Sequence, residues 1–141
     1  MSIRQLTTFY VDAFWFGVEV HRVQEVIRSQ PMTPVPLAPA GTAGLINLRG
    51  EVVTAIDVRT RLGLPPRAAD TAPMNVVVRV DDEPISLLVD AIGDVENVRS
   101  EQFEAPPDTL SPASRQLVRG AYKMDGRLLL ALDVDRVVAA A

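Results

Sequence analysis

Residues 44–59 read GLINLRGEVVTAIDVR, a β-prone apolar run interrupted by a glycine, an arginine-glycine pair and an aspartate. Val52, Val53, Ile56 and Val58 carry the branched side chains that pack on a pleated surface, and they predict a strand buried over much of its length. Arg49-Gly50 precedes that strand where the chain has to turn, and a charged side chain there can reach solvent or a partner. Gly44 and Gly50 also have a plainer reading, as residues that permit backbone angles other side chains resist.

Outward from this stretch, strand signals dominate. Thr8 to Val11 and Phe14 to Val20 flank an Asp12-Ala13 turn and predict a hairpin, packed by Phe14, Trp15 and Phe16 with one ring turned outward. Val20, Val23, Val26 and Ile27 fall three or four residues apart with polar residues between them, a spacing that predicts one to two helical turns. Pro31, Pro34, Pro36 and Pro39 then remove ladder donors and make residues 30–41 an extended connection. Thr60 to Leu64 predicts another short helical turn. Pro65, Pro66 and Pro73 bracket an alanine-rich stretch that separates two approximate lobes, 9–66 and 74–138, of a single domain over 1–141, and interwoven boundaries between them stay open. Asn75 to Val80 and Pro84 to Val89 predict a second hairpin about Asp81-Asp82-Glu83, and Arg127 to Val134 a further strand after an Asp125-Gly126 turn.

The second half echoes the first. Val20, Val23, Glu25 and Val26 correspond to Val89, Ile92, Asp94 and Val95 at one constant displacement. TAIDVRTRL at 54–62 resembles LALDVDRVV at 130–138, displaced a little further because Lys123 to Gly126 lengthens the second hairpin. Arg49-Gly50 finds Arg119-Gly120 close to the first displacement, which sets Asn47 opposite the apolar Leu117. Ordered agreement of this kind points to a duplicated pair of small β-lobes, and short strands with tight hairpins close into barrels or sandwiches that hide their edges.

Composition narrows the function. The chain has 141 residues, 48% hydrophobic and 23% charged, which suits one folded domain. No apolar run approaches the roughly 18 to 20 residues of a membrane span, and the start lacks the pattern of a secretory signal, so cytoplasmic residence is the expectation. Zero cysteines remove disulfides, thiolate metal sites and cysteine nucleophiles, and the single His21 cannot build a histidine metal site alone. A net charge of −4 argues against nucleic acid, whose phosphates select basic surfaces. Ser86, Asp90 and His21 can be written as a triad, but no serine carries a G-x-S-x-G elbow, and the glycines match neither a phosphate loop nor a dinucleotide fingerprint. Charged turns such as Asp81-Asp82-Glu83, and with them Asp90, Asp94 and Glu96, read as solvated. Asp57 and Asp133 at strand ends read as caps for the following helical turns.

FGVEVHRVQEVIRS at 16–29, PVPLAPAGTAGLINLRGEVVTAIDVRTRLG at 34–63, PISLLVDAIGDVENV at 84–98 and RLLLALDVDRVV at 127–138 together resemble the CheW-like domain family of bacterial chemotaxis coupling proteins. The resemblance spans essentially the whole chain. It implies an all-β fold of two SH3-like five-stranded β-barrels, no catalytic activity and no cofactor. It further implies an adaptor joining the cytoplasmic tips of methyl-accepting chemotaxis receptors to the regulatory domain of a CheA-type histidine kinase, alternating in rings with other CheW-like domains in arrays at the inner face of the membrane. Val20, Val23, Glu25 and Val26 match the family's receptor-facing turn, and Gly44, Asn47 and Arg49 the adjoining groove segment. A helix-binding groove wants apolar anchors flanked by polar groups that fix register. The valines are equally readable as core, and Arg49 as the partner of Asp57 or Glu51. The chain departs from the family in the small run Ala40 to Ala43, in Thr54 where proline is common, and near the second kinase contact. There Glu104, Asp108 and Thr109 give an acidic, non-aromatic surface, which opens the alternative of an array component, or an adaptor of a divergent chemosensory pathway, with weak kinase recruitment.

Overall fold

The computed structural model describes residues 3–39 and 41–139; Ala40, within the small-residue run, lies outside them. The chain runs through β1 (Ile3–Val11), β2 (Phe14–Glu19), a 3-10 turn (Val20–Arg22), β3 (Val23–Ile27), β4 (Thr42–Leu48), β5 (Glu51–Asp57), α1 (Val58–Arg61), β6 (Met74–Val80) and β7 (Glu83–Val89). It continues through β8 (Ala91–Arg99), a second 3-10 turn (Ser100–Gln102), β9 (Phe103–Glu104), α2 (Pro112–Gln116), β10 (Val118–Met124), β11 (Arg127–Leu132) and α3 (Val134–Ala139). The predicted hairpins form where turn chemistry permits them. Asp12, Asp81 and Asp82 adopt positive φ, as tight hairpin turns require, and Arg49 and Gly50 do so together at φ 51° and 86°.

The strands make a six-stranded sheet, β8-β1-β2-β11-β10-β9, and a five-stranded sheet, β3-β6-β7-β5-β4. Each closes on itself. β8 passes through the Ser100–Gln102 turn into β9, which pairs with β10 at the opposite edge. In the other sheet, the chain leaving β3 reaches Thr33, whose N–H and C=O both bond Leu45 of β4 at 2.8 Å. The two sheets are the same design: Phe16 of β2 lies beside Leu130 of β11 as Ile85 of β7 lies beside Thr54 of β5, both parallel. The bulges match too, between Thr42 and Gly44 in β4 and between Val118 and Gly120 in β10.

The structure corrects two readings of the sequence and gives the form of a third. The approximate lobes 9–66 and 74–138 interweave, in that each half gives its first hairpin to the other: β1-β2 joins β8 to β11, and β6-β7 joins β3 to β5. The helical spacing over residues 20–27 is helical only at Val20–Arg22; Val23–Ile27 is a strand on β6, with Val23, Glu25 and Ile27 half-buried and Gln24 and Val26 exposed. Two short periods met in one valine-rich segment, and β-branched side chains favoured the ladder. Finally, Arg49-Gly50 is matched by Asp125-Gly126 at the β10-β11 turn, whereas Gly120 is matched by Gly44 at the bulge. The counterpart of Asn47 is therefore Lys123, not Leu117.

β6 shows how the core is divided. Val77 points into the five-stranded barrel with Ile46, Leu48, Val53 and Leu88, while Val76 and Val78 point the other way. These two join Phe9, Val11, Phe16 and Val18 of β1-β2 in the largest cluster, which unites the two barrels. Leu6, Trp15, Val98, Tyr122 and Leu129 fill the six-stranded barrel. Full burial of one such side chain stabilises by about 1.5–3 kcal/mol, so the exchanged hairpins weld the barrels into one unit.

Candidate functional site

Of the residues expected at the receptor surface, Val23, Glu25, Val26, Gly44, Asn47 and Arg49 lie on the five-stranded barrel, and Val20 in the 3-10 turn that leads into it. Glu25 on β3 and Arg49 in the β4-β5 turn form an ion pair, with Glu25 at 20% side-chain exposure and Arg49 at 69%. The Arg49 hydrogen bond holds the Glu25 carboxyl below its ordinary range against the opposing effect of desolvation, with help from Gln24. The same bond holds Arg49 further into its charged form. Arg49 thus pairs with neither Asp57 nor Glu51. Asp57 instead caps α1, accepting from the Arg59 N–H at 3.0 Å, and Asp133 receives the Arg136 N–H at 3.2 Å. Both caps are those read in the sequence.

The neighbours sort into surface and support. Val20 and Val26 are 38% and 37% exposed, whereas Val23 packs against the shared core. Asn47 accepts the Gly50 N–H at 2.8 Å and so fixes the turn that carries Arg49. Gly44 is buried; a Cβ there would lie 2.7 Å from the Thr33 carbonyl oxygen, so glycine lets the barrel close. Val52, opposite Asn47, adds exposed apolar surface. A cleft of about 590 Å³ opens beside the Val20 turn, over the six-stranded barrel, and its rim charges are largely satisfied by one another: Arg4 with Glu19 and Arg22 with Asp135, each at 2.8 Å.

Glu104, Asp108 and Thr109 are exposed on the six-stranded barrel, but on different elements: Glu104 pairs on β10, and the other two lie in the turn before α2, with Asp108 3.6 Å from Arg115. The segment is not free of aromatic surface. Phe103 is exposed and meets the Tyr122 ring at a tilt of 58°, with centroids 5.0 Å apart. Of the first hairpin's rings, Phe16 and Trp15 are buried and Phe14 is half-buried, so none turns fully outward.

Asp90, read in the sequence as a solvated charge, is instead the centre of a part-buried ion-pair network. At the β7-β8 crossing it accepts from the Asp12 N–H and Arg59 Nη1, each at 2.6 Å, and from Arg67 Nε at 2.9 Å. Arg67 also reaches Asp57 at 3.3 Å. Desolvation opposes ionisation of Asp90, but the Asp12 N–H and the two guanidinium groups outweigh it and hold the carboxyl below its ordinary range. Sequence spacing gives no sign of this, because the four residues meet only through the hairpin exchange. The paper triad does not assemble: Ser86 donates to Asn75, Asp90 serves the arginines, and the exposed His21 lies against Glu19.

Rigid closed barrels whose polar groups serve turns, caps and ion pairs are the build of a scaffold that binds other proteins. The model of the CheW-like domain matches residues 5–141. The chain is 34% identical over 134 residues to "Chemotaxis protein CheW" of Rhizobium meliloti (strain 1021), covering 95% of this chain and 86% of that one. It is 27% identical over 134 residues to the Bacillus subtilis (strain 168) protein of the same name, covering 95% and 86%. The crystal structure of scaffolding protein TtCheW from Thermoanaerobacter tengcongensis superposes with a TM-score of 0.86 over 99% of this chain and 94% of that one, at 23% identity, a likeness of fold. The chain belongs to the CheW-like domain family and, with relatives named CheW, is a scaffold adaptor and not an enzyme. Among the described residues, no helix is long and apolar enough to cross a membrane.

Proposed function

We propose that this chain couples chemoreceptors to a histidine kinase, with one barrel for each partner. The five-stranded barrel takes the helical tip of a methyl-accepting receptor on Val20, Val26 and Val52, with Glu25 and Arg49 setting register. The six-stranded barrel meets the regulatory domain of a CheA-type kinase through Glu104, Asp108 and Thr109, with Phe103 as its apolar element. Rings with other CheW-like domains, in arrays at the inner face of the membrane, follow from this arrangement.

The observation that carries the reading is the Glu25–Arg49 pair: two charged groups bonded on a rigid barrel beside exposed valines, where an exposed ion pair adds little to folding but gives a partner a fixed pattern. Exposed Phe103 favours kinase contact over the weak-recruitment alternative. Pull-down with a receptor cytoplasmic fragment, with a kinase regulatory domain, and with both together tests the proposal. Capture of both in one complex is expected; capture of neither refutes it.

A further inference from the structure

A second cavity, of about 370 Å³, lies on the six-stranded barrel and is walled by Tyr10, Phe14, Trp15, Pro107, Leu110 and Leu128. It is too small for a helix and large enough for one or two side chains. One charged group lines it. Arg127 lies over the Trp15 ring at 3.7 Å and the Tyr10 ring at 5.7 Å, and donates to the Tyr10 hydroxyl at 2.8 Å. No carboxylate among the described residues pairs with it. Trp15 is 7% exposed, and its Nε1–H is buried without an acceptor. A cation without a counter-ion over an aromatic wall, next to an unanswered donor, is an incomplete site.

We infer that this cavity is an anchor pocket for a partner protein, taking one apolar side chain next to a carboxylate, with Arg127 as its displaceable cover. The apolar group fills the space against Trp15 and Leu128. The carboxylate draws the guanidinium aside and supplies the missing counter-charge. Thr109 also lines the cavity, which places it within the surface assigned above to the kinase regulatory domain, and the inference rests on that assignment.

Trp15 is the single tryptophan, so its fluorescence reports on the pocket directly. The test titrates the chain with the cognate kinase regulatory domain, subtracting an identical titration of W15F. A change in Trp15 emission on binding is expected. Arg127→Gln weakens this binding by about tenfold, the size of one charged contact at an interface, and leaves receptor-fragment binding unchanged. Ala13→Phe, on the exposed turn at the cavity edge, fills the space without touching the core, keeps Trp15 the single tryptophan and also weakens kinase binding. Unchanged kinase affinity in both variants, or binding silent in Trp15 emission, overturns the anchor pocket while leaving the adaptor reading intact. No binding of the kinase domain by the unaltered chain overturns both. An emission change on concentrating the chain alone, with sedimentation showing a dimer, assigns the pocket to a second copy and overturns the inference.

Discussion

The two barrels share a frame and differ at its corners. Gly44 and Gly120 occupy the same bulge, each beneath an apolar side chain from the closing segment, Met32 in one barrel and Phe103 in the other. Val26 and Val95 are both exposed, as are Val52 and Leu128. Yet where the first barrel sets Glu25 against Arg49, the second has Asp94 and Asp125, two acids in place of an ion pair. Positions that keep their identity close a barrel; positions that change charge distinguish one surface from the other. That contrast is the physical basis for assigning different partners to the two barrels.

The most damaging way to break the comparison is to strike what the barrels share. Phe9→Ala empties a fully buried site in the common core and is expected to cost roughly 3–5 kcal/mol, with both barrels melting in one transition in chemical denaturation followed by circular dichroism. Two transitions would show the barrels to be energetically separate.

The bulge glycines come next. A Cβ at Gly120 would stand 2.7 Å from the Glu104 carbonyl oxygen and also press on the Phe103 ring, whereas at Gly44 the close backbone neighbour is the Thr33 oxygen, also at 2.7 Å. Alanine at either is expected to cost about 1–3 kcal/mol, more at Gly120 than at Gly44, measured as the shift in denaturant midpoint. Equal or negligible losses would mean that the closing segments yield easily.

A smaller effect belongs to Asp90. Its carboxyl is held below the ordinary aspartate value of 3.8, so the stability it contributes is present above that value and lost as pH falls through the lower folded one. Asp90→Asn should therefore melt at a lower temperature than the parent at neutral pH and lose less of its remaining stability on acidification below about pH 4. A parallel acid limb in the two proteins would remove Asp90 from the account.

Much of this frame could be read from residues alone. Asp12-Ala13, Asp81-Asp82-Glu83 and Asp125-Gly126 announce their hairpins through turn chemistry, and the match of 54–62 with 130–138 marks the repeat. Interwoven lobes could be left open, but which hairpins exchange could not be read, because a strand's neighbour is set by nonlocal packing that leaves no trace in local pattern. The Arg119-Gly120 echo misled for a related reason: two residues shared by chance outweighed the turn geometry that equates Gly50 with Gly126, at φ 86° and 70°. At the candidate site, Glu25 and Arg49 were legible as polar groups, but their bond was not, since 23 intervening residues hide it. Gly44 was readable as a glycine with a purpose, and the structure gives that purpose as barrel closure.

The central claim is that the Glu25–Arg49 pair serves recognition rather than folding. Exchanging the two, as the double variant Glu25→Arg with Arg49→Glu, keeps an ion pair in place while reversing the pattern a partner meets. Isothermal titration of this variant with a receptor cytoplasmic fragment, beside its thermal unfolding, tests the claim directly. The account predicts an unchanged melting temperature and no measurable receptor binding. Parental affinity in the exchanged variant would contradict it, because the pair would then matter only to its own barrel.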